Sequence, residues 1–168
     1  MKRIVMTRIQ RVLWYATTLS TGILTGFLVS HSVMLGRFFT WLIKADRYDV
    51  FEESFSVFRL SSHANVHYNL FLVVALVIGV LYAAISLILR KDRPTALLAG
   101  LSTLWVSCVF FISRFSDAEA AVASGVADQS VRDFFVAWNL PMHSSFAIFY
   151  AVCFLLLLRS GMRQAVRD

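Results

Sequence analysis

Four apolar runs, each about as long as a bilayer is thick, constrain this chain more than any motif does. They are "VLWYATTLSTGILTGFLVSHSVMLG" (12–36), "NLFLVVALVIGVLYAAISLIL" (69–89), "TALLAGLSTLWVSCVFFIS" (95–113) and "FFVAWNLPMHSSFAIFYAVCFLLLL" (134–158). A membrane helix needs about 20 mostly apolar residues. Lipid cannot satisfy an open backbone, so such runs span as helices. None alternates with the period of two that a barrel strand requires. The 168 residues are 58% hydrophobic and only 15% charged, against roughly 45–50% and about 25% for a soluble domain. The expected fold is a single all-α domain over 1–168, a four-transmembrane-helix bundle in a membrane, taken as a bacterial inner membrane.

Charge sets the expected orientation. Ten of the sixteen basic residues fall in the N-terminal segment, the short "RKDR" link and the C-terminal tail, Lys2, Arg3, Lys91 and Arg167 among them. Eight of the ten acids fall in the two longer connections. Positive charge stays on the cytoplasmic side, so both termini and the link are expected there. The pI of about 9.8 then calls for no nucleic-acid partner, only for a bilayer with anionic lipid. The basic start resembles a signal peptide, but the apolar run after it is too long for one. A retained first helix is expected.

The two longer connections carry helical patterns of their own. Phe51, Phe55 and Phe58 recur at one-face spacing, with Glu52 and Glu53 elsewhere; that is an amphipathic helix. "SDAE" (116–119) has the form of a capping box, Ser116 at the N-cap and Glu119 three residues on, with its helix ending near Gly125. Short helices therefore cap the outer side. Trp14 and Tyr15 mark the inner boundary and Trp41, Tyr68 and Trp138 the outer one; Trp105 falls mid-span. Pro141 is expected to interrupt the fourth span. Cys108 and Cys153 lie at different depths and read as small buried apolar residues. Thr18, Gly22, Gly26 and Ser30 form a small-residue stripe on span one. It suits either packing within the bundle or contact with a homodimer mate or a second membrane protein.

All four histidines fall toward the outer ends of their spans. His63 and His67 are four apart, one turn of helix, the spacing at which two imidazoles share a metal. His31 lies inside span one and His143 just past Pro141; an ionisable group inside a span is a functional hypothesis by default. Asn65, Asn69 and Asn139 add amides at the same level. The residues define a candidate polar pocket. His143 and Asn139 are its candidate catalytic pair, His31 and Asn69 its candidate cofactor-binding groups. His63, His67, His31 and His143 are candidate ligands for copper, zinc or a haem iron, the metals that suit imidazole. The plainer alternative for His63 and His67 is interfacial anchoring. Walker, dinucleotide, CxxC and HExxH motifs are all missing. A Ser144–His143 pair is a poor dyad, because adjacent helical residues point apart. No span centre carries Asp, Glu, Lys or Arg, which disfavours a pump or a channel.

"TGILTGFLVSHSVM" in the first helix, the Asn-bearing entry to span two and "FFVAWNLPMHSSFAIFYAV" in span four resemble the anthrone oxygenase-like family of four-span membrane proteins. Trp138 and Asn139 match its Trp-Asn pair; His143 stands near the position of the family's usual Arg. The resemblance implies oxidation of a polycyclic phenolic anthrone by dioxygen, the activity of the family's fungal members. Two functions are thus expected: a membrane oxidoreductase-like protein with a His/Asn-lined outer-leaflet site, or a non-enzymatic accessory, assembly or immunity-type partner subunit.

Overall fold

The structure, a computed structural model, describes residues 8–90 and 92–165, without the side chains of residues 65, 164 and 165. Lys2, Arg3, Lys91, Arg167 and the Asn65 side chain lie outside the described residues. About 90% of the described residues are helical, and none of them lies in a strand. Three helices are long and apolar enough to cross a membrane, and a bent pair makes a fourth if it counts as one span. The fold is compatible with an integral membrane protein.

Helix α1 runs Arg8–Lys44, well past the expected end at Gly36. Glycine often closes a helix, but "GRFFTWLIK" is itself amphipathic, burying Phe39, Thr40 and Leu42 while Arg37 and Lys44 stay exposed. Within α1, His31–Leu35 forms a π turn. Helix α2 is built from Tyr48–Phe51, a π turn Glu52–Ser56 and Val57–Ser61. Helix α3 is Ala64–Ile88. Helix α4 joins Arg93–Thr95 to the π turn Ala96–Gly100 and bends by 41° from α5, Ser102–Ile112. Helix α6 is Phe115–Ala123, and α7 is Gln129–Ala165. Pro141 sits inside α7 without breaking it, although it removes the donor that the Ala137 carbonyl would otherwise accept.

Contacts divide the chain into two compact units. Among the described residues the first comprises residues 8–26, Phe71–Trp105 and residues 148–165. Its core is Tyr82, Ala83, Ala96, Ala99, Cys153 and Leu157. Small residues let the helices touch here: a Cβ on Gly79 would lie 2.2 Å from the Gly100 carbonyl oxygen, and one on Gly100 would lie 2.9 Å from the Tyr82 ring. Trp14 lies over Gly161, where a Cβ would overlap its ring, and its indole N–H donates to the Leu157 carbonyl at 3.0 Å. The inner-boundary pair therefore splits: Tyr15 is exposed while Trp14 packs inside the unit. The mid-span Trp105 donates to the Leu97 carbonyl at 3.0 Å, across the bend between α4 and α5. Asp92, in a left-handed conformation, accepts from Thr95 at 2.9 Å and from Ser160. Gly22 faces Phe154, whereas Gly26 has nothing within 4 Å.

The second unit comprises Phe27–Leu70 and Val106–Ala147. Phe39, Leu42, Tyr48, Phe51, Phe115, Val122, Ala127 and Phe135 form its core. The Tyr48 hydroxyl donates to the Val122 carbonyl at 3.1 Å, and the Arg132 guanidinium sits 3.7 Å from the Tyr48 ring centre. The Phe51/Phe55/Phe58 stripe is only partly met. Phe51 is buried and Phe55 half-buried, but Phe58 is exposed and Ser56 takes an inward position. The π turn between them inserts a residue into the helical repeat and rotates the face. The free thiols divide as well, Cys108 exposed and Cys153 buried.

Candidate functional site

The second unit encloses a small polar cluster, and the π turn in α1 builds half of it. That turn places His31 and Gly36 on top of one another. A Cβ at Gly36 would lie 3.0 Å from His31 Cδ2 and 3.1 Å from Nε2, so the absent side chain is the room the imidazole uses. π turns of this kind recur at functional positions. From α7, Asn139 donates through Nδ2 to the Gly36 carbonyl at 2.9 Å and to Thr40 Oγ1 at 3.1 Å. One turn on, His143 Nδ1 lies 2.9 Å from the Asn139 carbonyl oxygen.

The two imidazoles stack, ring centres 3.9 Å apart and planes 28° from parallel. His31 is 7% exposed, His143 6% and Asn139 0%. Aromatic edges close the cluster: Phe39 meets His31 edge-on at 6.3 Å, and Phe115 meets His143 edge-on at 5.7 Å. Two polar atoms inside it have no hydrogen-bond partner, His31 Nε2 and Asn139 Oδ1. The Asn139 side chain is the polar neighbour of the His31 ring, yet no bond of acceptable geometry joins them. An unpaired buried polar group costs about 1–3 kcal/mol, so two in one cluster call for an explanation.

Glu119 of α6 stands at the cluster's edge, its Oε1 3.8 Å from His143 Nε2. It is not the N3 residue of a capping box. Helix α6 starts two residues early, with Arg114 in a left-handed conformation at the N-cap and no side-chain cap. That places Ser116 inside the helix and frees Glu119 to face α7. Only the C-terminal signal holds, with Gly125 left-handed just past the end. A third of the Glu119 side chain is exposed. The largely apolar surroundings nevertheless push its carboxyl up to about 7, against a smaller downward pull from the Arg59 cation.

The other two histidines do not follow the helical pairing. His63 precedes α3 in a left-handed conformation, its carbonyl accepting from Val66 N at 2.9 Å and His67 N at 3.3 Å. Both side chains are exposed, as is that of Asn69. Among the described residues no group of three or more His, Cys, Asp or Glu comes together to hold a metal ion. The stacked pair is itself poorly disposed toward one, because imidazole lone pairs lie in the ring plane and overlapping rings do not aim them at a common point between them. Sequence reasoning had singled out His31, Asn139 and His143, which the structure brings together. It missed Thr40, Gly36 and Glu119; Glu119 carried a signal, an acid one loop away from the imidazoles, but the capping pattern claimed it first.

No family model, curated protein or solved structure matches the chain. The geometry of this cluster therefore carries the functional argument.

Proposed function

We propose that the chain is an integral membrane protein with four spans, cytoplasmic termini and short outer helices. In this reading the His31–Asn139–His143 cluster binds an apolar phenol- or quinone-like ligand and, where that ligand is a phenol, accepts its hydroxyl proton in an oxidoreductase-like reaction. One observation carries it: two buried stacked imidazoles beside two buried polar atoms, His31 Nε2 and Asn139 Oδ1, that lack partners. A phenolic hydroxyl has one hydrogen, which it can donate to Asn139 Oδ1 or to a bare His31 Nε2, and it can accept from a ring N–H. With His31 Nε2 bare, the phenolic O–H bond breaks toward it, giving a phenolate and an imidazolium. A neutral imidazole is the side chain suited to this near pH 7. The phenolate then passes one electron to dioxygen, the oxidant that the anthrone oxygenase-like resemblance implies, becoming a phenoxyl radical while dioxygen becomes superoxide. Asn139, held by Gly36 and Thr40, orients the ring.

The test is equilibrium binding of menadione and 2-naphthol to purified protein, read by quenching of its four tryptophans. Saturable binding lost in His31→Ala and in Asn139→Leu is expected. Equal binding by folded variants overturns the proposal. Elemental analysis of the same sample checks for copper, zinc and iron.

A non-enzymatic partner subunit is the second reading. Gly26 favours it, since this part of the small-residue stripe has open space beside it while Gly22 is already covered by Phe154. Cross-linking in native membranes from a Gly26→Cys variant, yielding a stoichiometric adduct with another protein or a second copy, is its signature.

A further inference from the structure

We propose that Glu119 is the proton-exchange partner of the buried imidazole pair, holding one proton in common with His143 and passing it between the cluster and the aqueous face on which α6 lies. The inference rests on the cluster's acting as a proton acceptor and adds the route by which that proton leaves.

The tautomer of His143 makes the argument. The Asn139 carbonyl oxygen can only accept, so His143 Nδ1, 2.9 Å away, carries a hydrogen. In the neutral ring the lone pair is then on Nε2, and Nε2 is the atom facing Glu119. A protonated Glu119 donates to that lone pair; an ionised Glu119 pairs with the imidazolium left after transfer. Either way the two groups hold one proton. The 3.8 Å separation exceeds a direct hydrogen bond, so transfer needs a bridging water or a small inward swing of the Glu119 side chain. Partial exposure of its side chain sets Glu119 nearer the surface than either imidazole. Burial raises Glu119 to about 7, the range in which it can lend and recover a proton at neutral pH.

The charged groups acting on Glu119 are Arg59 of α2 and His143 of α7. Arg59 is also tied to Ser124 at 3.1 Å. Glu52 packs against Gly125, past the far end of α6, and the Arg114–Asp117 pair sits outside on the same helix. The stacking links His31 to this exchange, because two like charges at such short range disfavour one another.

Glu119 acts through His143, so its test must move a signal that a structural role would leave alone. The full chain is labelled with carboxyl-13C glutamate and imidazole-15N histidine, placed in bilayers without ligand, and titrated by solid-state NMR. One glutamate carboxyl and His143 Nε2 are expected to shift together with a common midpoint near neutrality. Glu119→Gln removes the carboxyl step and leaves Nε2 unmoved in that interval. If the Gln variant does not fold, Glu119→Asp supplies the assignment and is expected to displace both midpoints equally. Separate midpoints, or a Glu119 carboxyl that titrates in the ordinary range around 4.5, overturn the proposal. Because no ligand is present, this outcome is independent of whether the cluster binds phenols.

Discussion

Replacing Asn139 by leucine, a side chain of similar volume, should barely change stability although it deletes two buried hydrogen bonds. The Nδ2 bonds to Gly36 O and Thr40 Oγ1 measure 2.9 and 3.1 Å. Side-chain bonds between membrane helices average about 0.6 kcal/mol each, so their loss costs roughly 1–2 kcal/mol. The same substitution removes Asn139 Oδ1, which is fully buried and has no partner. Relieving such a group returns about 1–3 kcal/mol. The two effects offset, and the net change is expected within about 1 kcal/mol. Asn139→Asp is the contrasting variant. It keeps the shape but turns an acceptor toward the Gly36 carbonyl and buries a charge, and its cost should be about 3–5 kcal/mol. Reversible unfolding in mixed micelles, titrated with denaturing detergent, measures both. A loss above about 3 kcal/mol for Asn139→Leu would mean that Oδ1 is paired in the native protein, and the explanation of the cluster as a ligand site would fail with it.

Three further outcomes follow from packing and charge. Gly79→Ala should be strongly destabilising, by more than the usual 1–3 kcal/mol of overpacking, because its Cβ would meet the Gly100 backbone at 2.2 Å; Gly26→Ala, with open space around it, should be neutral or stabilising by about 0.5–1 kcal/mol, and thermal inactivation of the pair ranks them. Trp105→Phe removes the donor to the Leu97 carbonyl and should speed amide exchange around the α4–α5 bend, while Trp138→Phe, with an exposed side chain, serves as control. Glu119 should make stability fall as pH rises. Its folded-state value of about 7 exceeds the ordinary 4.5, so between those values the folded protein holds a proton that the unfolded chain has lost, and ΔG of unfolding declines with pH across that window; Glu119→Gln should flatten the decline between pH 5 and 8, and an unchanged slope would count against the raised carboxyl.

The long apolar helices were legible because hydropathy is a property of composition over a window. All-helical architecture and the approximate position of each membrane-length run follow from that alone. His31, Asn139 and His143 were legible for a related reason: polar side chains inside apolar runs announce themselves. The exposed His63 and His67 show the limit of spacing. Four residues place two imidazoles on one face only if both lie in the same helix, and the left-handed backbone at His63 ends that premise. The Phe51/Phe55/Phe58 stripe held only in part, because one π turn resets the periodicity on which a face is counted.

The sequence by itself determined the long apolar runs of this protein, its helical class and the presence of polar groups within those runs, since these depend on local composition. Tertiary structure decided which of those groups meet. The stacking of His31 on His143, the seat that Gly36 leaves for an imidazole, and the turn of Glu119 away from its expected cap all depend on where one helix crosses another. Crossing positions are set by π turns and by close approaches of glycine, short-range steric events that a hydropathy pattern averages away.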